Sequence, residues 1–248
     1  MTFPDHFSAR AESYARFRPH YPDALFRYLA SLTENQDLAW DCATGNGQAA
    51  EALARFFRLV AATDASRKQI QNAFRNNSVR YCVGLAERAP LQSGIADLVT
   101  VAQALHWLQP VPFFAEVCRV LKPRGVVAVW CYNLLQIDPA TDAILLHFYT
   151  NVVGPYWSPE RKLLEEGYRT IVFPFEEMSI PEFHMEAEWS FADLTGYLAT
   201  WSSSQTYVRM NGSDPVLVIR KELLDAWGDP NKSRMVRWPL SLRMGRLK

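Results

Sequence analysis

LAWDCATGNGQAA, residues 38–50, is the stretch on which the rest of the chain depends. An apolar run ends in an acid, Asp41, opens into Gly45-Asn46-Gly47 and passes into an alanine-rich segment with the composition of a helix start. A strand, a glycine turn and a helix in that order make a nucleotide cradle. Glycine accepts positive φ and lets a ligand approach the backbone, while free N–H groups at the following helix start favour polar or anionic groups. The stretch by itself does not say which nucleotide it holds.

Outward from it the same alternation repeats. Residues 6–18 and 23–32 have helical spacing around a proline elbow, 38–41 reads as the first strand and 48–57 as the helix that crosses back. A second buried strand, 59–64, ends in another acid, Asp64, and a helix follows over 68–75. Strand candidates at 79–85 and 96–102, an amphipathic helix at 113–121 stopped by Lys122-Pro123-Arg124-Gly125, and a strand at 126–132 complete the series. Strands alternating with helices predict an α/β fold, a doubly wound and mostly parallel sheet.

Beyond Tyr132 the rhythm is lost. Helical segments are expected at 139–152 and 160–168 around the aromatic, proline-punctuated turn 155–159, with a strand at 182–190, helices at 191–203 and 215–227, and a last strand at 238–247. The reading is one domain over 1–248, with 1–32 as an N-terminal helical lid and 133–180 as an inserted helical cap over the sheet.

With 248 residues, 49% hydrophobic and 21% charged, the chain can bury a sizeable core. Its 26 basic and 26 acidic side chains give zero net charge, so no global field draws it to nucleic acid or to an anionic membrane. A small-molecule substrate is the expected partner, and the oligomeric state stays open. Cys42, Cys82, Cys118 and Cys131 are widely spaced with no C-x-x-C pair, which fits a reducing cytoplasm. The first residues lack an apolar signal core, and no apolar run approaches the roughly 20 residues that span a bilayer. With no H-E-x-x-H, no clustered Cys/His set and no phosphate-loop motif, no metal is expected.

The turn fits the dinucleotide fingerprint G-x-G-x-x-G/A, and Asp64 stands where a ribose-binding acid is expected, so NAD is compatible. The same carboxylate would serve the ribose of S-adenosylmethionine equally well. Asp41 discriminates: it would repel a pyrophosphate but welcome the ammonium of a methionine tail. That favours a cationic ligand.

In this light the chain resembles the class I S-adenosylmethionine-dependent methyltransferases, and more narrowly the small-molecule group that includes the trans-aconitate methyltransferases. The likeness is carried by ARFRPHYP, WDCATGNGQAA, TDAS, GLAERAPL, DLVTVAQALHWL, EVCRVLKPRGVVAVWCY and WPLSLRMGR, in that order over nearly the whole chain. It implies a seven-stranded Rossmann-like sheet with an antiparallel last strand and S-adenosyl-L-methionine as cofactor. It also implies that Asp41 and the backbone at Ala43, Gly45 and Gly47 face the methionine portion, and that Asp64 holds the ribose. Ala65 would then pack near the adenine, Ala86 and Glu87 approach its amino edge, and Gln103 lie beside the sulfur. Tyr14 and Arg18 belong to a segment that closes over the site in similar enzymes. Ala43 departs from the usual glycine, which predicts a slightly tighter turn.

The expected reaction is in-line transfer of a sulfonium methyl, for which alignment and water exclusion matter most. A carboxylate acceptor needs no general base, whereas an alcohol or amine could, and His106 at the mouth of the fourth strand is then the acceptor-side candidate. Two other readings stand beside this one. A nicotinamide-dependent oxidoreductase is supported only by the turn and Asp64, and a non-catalytic protein could retain the cofactor fold without turnover.

Overall fold

Where the sequence runs apolar for a whole strand, the chain forms strands covered on both faces. The structure, a computed structural model, describes residues 19–247. Tyr14, Arg18 and residues 1–18 of the expected N-terminal lid lie outside the described residues.

Helix α1 (Asp23–Ser31) leads into β1 (Leu38–Cys42), α2 (Gln48–Leu53), β2 (Leu59–Asp64), α3 (Arg67–Gln71), β3 (Val79–Val83), β4 (Ala96–Ala102), α4 (Pro110–Val120) and β5 (Leu121–Tyr132). There follow α5 (Pro139–His147), a π-helical turn (Phe148–Val152), α6 (Arg161–Glu165), β6 (Glu176–Glu177) and β7 (His184–Trp189). The chain closes with α7 (Phe191–Ala199), α8 (Ser202–Asn211), α9 (Val216–Trp227) and β8 (Arg234–Arg246).

The sheet runs β3-β2-β1-β4-β5-β8-β6, with β7 paired to β8 off this path. β1 to β5 are mutually parallel, and β8 is antiparallel to β5, β6 and β7. The doubly wound α/β sheet with an antiparallel last strand is therefore present; its path carries the expected seven strands and β7 adds an eighth. The order reverses between β1 and β4, because β1 continues outward through β2 and β4 in the opposite direction through β5. A crevice opens at the carboxyl ends of strands at such a switch point.

Helices cover both faces. Leu25, Phe26 and Leu29 of α1 and Ala49, Ala50 and Leu53 of α2 pack on Ala39, Val60, Leu98 and Trp130. Phe113, Phe114, Val117 and Val120 of α4 pack on Trp40, Val99, Val101, Val127 and Val129. A third, aromatic core lies past β5, where Phe148, Tyr149, Trp189, Tyr197, Trp201, Trp227 and Trp238 gather. Each fully buried large side chain of this kind contributes about 1.5–3 kcal/mol.

Local differences from the sequence reading have identifiable causes. The helix does end before Lys122-Pro123-Arg124-Gly125, at Val120, and the strand expected from 126 begins earlier, with this segment as its irregular start in β5. The register shifts between Ala96 and Leu98, and Arg124 takes φ 61, as in a bulge. The helix expected over 191–203 is two helices. α7 ends at Ala199, and Trp201 turns extended (φ −63, ψ 141) before α8 begins. Its ring is thereby buried against Phe148, Tyr149, Trp157 and Tyr197. Helices α2 and α3 are shorter than the spans expected at 48–57 and 68–75.

Candidate functional site

The turn after β1 is built from below by Asp41. This carboxylate is fully buried and accepts hydrogen bonds from the hydroxyls of Thr44 (2.5 Å) and Thr100 (2.8 Å). Burial pushes its carboxyl up to about 6; the two threonine hydroxyls and the Ala50 N–H pull it down, and the charge of Asp64 adds to the rise. Asp41 thus fastens the turn to β4 and stands behind it. The next residue but one, Ala43, adopts φ 53. In place of the usual glycine, alanine here takes up the left-handed conformation a glycine would, at a cost of about 1–2 kcal/mol.

Gly45 and Gly47 use their missing side chains differently. Gly45 has φ +59 and nothing within 4 Å of where a Cβ would stand, so its outer side is open to a ligand. Gly47 has φ +89, and a Cβ there would meet the Tyr81 hydroxyl at 2.2 Å. The second glycine is required by the protein itself, because the β3 tyrosine fills the space beside it.

Asp64 ends β2 next to this turn. Its Oδ2 accepts the Gly45 N–H (2.9 Å) and its Oδ1 the Ser66 N–H (2.8 Å). Ala65 follows, half-buried, and Ala86 is buried on the neighbouring loop. That loop is held by acids: Glu116 accepts the Ala89 N–H (2.7 Å), and Glu87 Oε1 accepts the Gln109 N–H (3.0 Å) before α4. The Arg119 guanidinium, bonded to Glu116, keeps that carboxyl below its ordinary range. The Glu87 side chain is engaged with the protein.

Gln103 follows β4 with φ 55. Its side-chain amide donates to the Tyr132 carbonyl (3.1 Å) and accepts the Tyr132 N–H (2.8 Å), clamping the end of β4 to the end of β5. Four non-glycine residues have positive φ among the described residues, Ala43, Gln103, Arg124 and Tyr168. Ala43 and Gln103 end the two strands that flank the switch point. Strain of this kind, about 1–3 kcal/mol per residue, concentrates at functional sites.

On the far side of Gln103, His106 is buried with its Nδ1 3.0 Å from the Tyr168 hydroxyl and its ring against Trp107. Burial, reinforced by the charge of Arg161 and opposed by Glu160, lowers its pKa to about 4. His106 is therefore uncharged near neutral pH and a weak base. Arg161 itself is half-buried. Its Nε donates to the Tyr149 hydroxyl (2.9 Å) and its Nη2 to Asn133 Oδ1 (2.8 Å), and the guanidinium carbon lies 4.2 Å from the Trp157 ring centre. The Tyr149 hydroxyl donates in turn to Glu165.

The structure thus gathers Asp41, Ala43, Gly45, Gly47, Asp64 and Ala65 at one end of the crevice and places Gln103 and His106 at the loop after β4. Sequence reasoning missed Arg161, Asn133, Tyr149, Tyr168 and the seat of Tyr81. One signal was present: Trp157 and Arg161 are spaced four apart beside a proline-punctuated turn. Among the described residues, no three His, Cys, Asp or Glu side chains cluster to hold a metal, and no helix is long and apolar enough to cross a membrane.

Residues 40–129 match the model of a methyltransferase domain. A methyltransferase-family protein of Dictyostelium discoideum is 35% identical over 229 residues, covering 91% of this chain and 87% of that protein. The malonyl-[acyl-carrier protein] O-methyltransferase of Marinomonas sp. is 34% identical over 129 residues, about half of each chain (49% and 48%). Among solved structures, a type II methyltransferase candidate from Anaeromyxobacter dehalogenans superposes with TM-score 0.89 at 40% identity, over 93% of this chain and 98% of that one.

Proposed function

Because the chain belongs to the class I S-adenosylmethionine-dependent methyltransferases, we propose that it transfers the methyl group of S-adenosylmethionine to a small-molecule acceptor through a carboxylate oxygen. The observation that carries the donor half is the pairing of Asp64 with the Gly45 N–H beside the open side of Gly45. A carboxylate at the end of β2, next to uncovered backbone at the end of β1, fits a ribose and the tail attached to it. When bound, the cofactor supplies an already activated sulfonium methyl.

The chain's own residues then have three tasks. Asp64 receives the ribose hydroxyls, Ala65 and the Ala86-Glu87 backbone border the adenine, and Ala43, Gly45 and Gly47 with Asp41 behind them shape the methionine pocket. Gln103, clamped to Tyr132, fixes the wall beside the sulfur. His106, uncharged, lines the acceptor side and takes no proton from a carboxylate that is already ionised. A water-poor crevice also favours this pairing of charges, since an anionic oxygen and a cationic sulfonium lose charge together on the way to the transition state.

The carboxylate reading is supported by the weakness of His106 as a base and by the O-methylation named for the Marinomonas relative. Residues 1–32 and 133–180 are the proposed lid and cap. In support, the Gln48 amide donates to the Pro19 carbonyl (3.1 Å) beside the glycine turn, and the Tyr168 hydroxyl of the cap lies 3.0 Å from His106 Nδ1 at the loop after β4. Zero net charge and four free cysteines accord with a small-molecule enzyme of the reducing cytoplasm, without nucleic-acid or membrane partners.

Calorimetric titration of the purified protein with S-adenosylmethionine, S-adenosylhomocysteine and NAD tests the donor. The first two are expected to bind with Kd of about 1–100 μM and NAD not at all. Tight NAD binding without adenosylmethionine binding would overturn the proposal and restore the oxidoreductase reading.

A further inference from the structure

Arg161 is a half-buried cation whose direct hydrogen-bond partners are neutral, the Glu165 carboxylate being reached only through the Tyr149 hydroxyl. Tyr149 and Asn133 take one hydrogen bond each, which leaves three of the guanidinium's five N–H bonds without an acceptor among the described residues. Trp157 supports one face at 4.2 Å, and the Tyr149 ring lies 5.3 Å away. The fork is held on two sides and against a ring, so little rotamer freedom remains to be lost when an anion arrives. Other arginines of the chain, such as Arg55, Arg119, Arg234 and Arg243, are paired with carboxylates.

Its position connects it to the reaction. Asn133 directly follows Tyr132, whose backbone is bonded in both directions to Gln103. The charge of Arg161 also acts on His106 after β4 and on Cys131 within β5. The guanidinium therefore stands over the carboxyl ends of the two strands that border the proposed acceptor side of the crevice. We infer that Arg161 is the specificity-determining residue of the acceptor site and binds a carboxylate of the acceptor through its unpaired N–H bonds, with Trp157, Tyr149 and Asn133 as positioning residues. The inference rests on the methyltransferase reading above. A planar guanidinium matches the geometry of a carboxylate, and contact through one oxygen leaves the other available for methyl transfer.

The test uses the full chain saturated with S-adenosylhomocysteine. Tryptophan fluorescence is followed while aliphatic acids bearing one, two or three carboxylates are added, with their amides as neutral isosteres. At least one acid is expected to bind about tenfold or more tightly than its amide, and Arg161→Gln to erase that difference while S-adenosylhomocysteine affinity stays within about twofold. Arg161→Lys, which keeps the charge but loses the fork, should retain part of the preference, and its folding is checked by urea denaturation. Equal binding of acids and amides to the wild type, no acid binding at all, or an undiminished acid preference in Arg161→Gln would each overturn the assignment. If the wild type fails to bind S-adenosylhomocysteine, the methyltransferase reading falls first and this site with it.

Discussion

Two buried groups with opposite protonation preferences predict an unusual acid profile. Burial raises the Asp41 carboxyl from 3.8 to about 6, whereas burial and Arg161 lower His106 from 6.5 to about 4. Between about pH 4 and pH 6 the native Asp41 holds a proton that the unfolded chain releases, so this group stabilises the fold at low pH and the contribution is lost as pH rises through 6. His106 behaves in the opposite sense. The unfolded chain takes up a proton below 6.5 that the native state excludes, so the contribution is present above 6.5 and lost as pH falls through 4. Each shift corresponds to about 3 kcal/mol, at about 1.4 kcal/mol per pH unit. The two slopes nearly cancel in the wild type. Asp41→Asn removes one of them: relative to wild type, the variant should gain about 3 kcal/mol of unfolding free energy on going from about pH 4 to about pH 6.5. His106→Gln, which can still bond Tyr168, should shift by a similar amount in the other direction. Urea denaturation followed by tryptophan fluorescence across this range supplies the curves. Taking differences from wild type cancels the acid loss due to carboxylates such as Asp23, Asp37, Glu116 and Asp138, which their partners hold low. Parallel curves for Asp41→Asn and wild type would refute the reasoning, since they would mean that the carboxyl titrates alike in both states.

Asp64→Ala should lower S-adenosylhomocysteine affinity about tenfold or more by removing charge-assisted bonds worth about 1.5–3 kcal/mol, and calorimetry showing unchanged affinity in a folded variant would remove Asp64 from the cofactor site. Gly47→Ala should cost about 3 kcal/mol, part from φ +89 and part from the encroachment on Tyr81; in a Tyr81→Ala background the cost should fall to about 1–2 kcal/mol, as a double-mutant denaturation cycle would report. Tyr81→Phe should be neutral or slightly stabilising, because the hydroxyl it removes is buried without a hydrogen-bond partner among the described residues; a loss of more than about 1 kcal/mol in urea denaturation would show that the hydroxyl is satisfied. Gln103→Ala should cost about 1–3 kcal/mol through the two lost bonds to Tyr132 and should also weaken S-adenosylhomocysteine binding; a loss of stability alone, with calorimetric affinity unchanged, would confine the clamp to a structural role.

The proposed donor half of the site was legible because its parts are local. Asp41, Ala43, Gly45 and Gly47 lie within one turn, and Asp64 ends the next strand, so strand order alone brings them together. Even there the sequence hid the reasons. Gly47 looked like a ligand contact, but its missing Cβ is used by Tyr81, which reaches it only because β2 and β3 pair in register through Ala62 and Tyr81. Asp41 reads in the sequence as welcoming an ammonium directly or through the local amides; the fold buries it and gives each of its oxygens a threonine hydroxyl, one of them on β4. Glu87 likewise spends its carboxylate on the N–H before α4. In each case a partner elsewhere in the chain, Tyr81, Thr100 or the Gln109 N–H, meets the group.

The proposed acceptor half was not legible because packing, and not periodicity, assembles it. Asn133, Tyr149, Trp157, Arg161 and Tyr168 come from separate turns and short helices of the 133–180 segment, where no repeat spacing announces a face. Their meeting depends on the aromatic core past β5. Trp201 can reach Trp157 and Tyr149 only because the helix breaks at Thr200, and that contact braces the rings on which Arg161 rests. A helix broken to bury one indole, a guanidinium without a carboxylate partner and a histidine kept neutral beside it are each local departures from the simplest rule. They make physical sense together if this side of the crevice is built to receive an anion, with the charge that the protein itself withholds supplied by the acceptor.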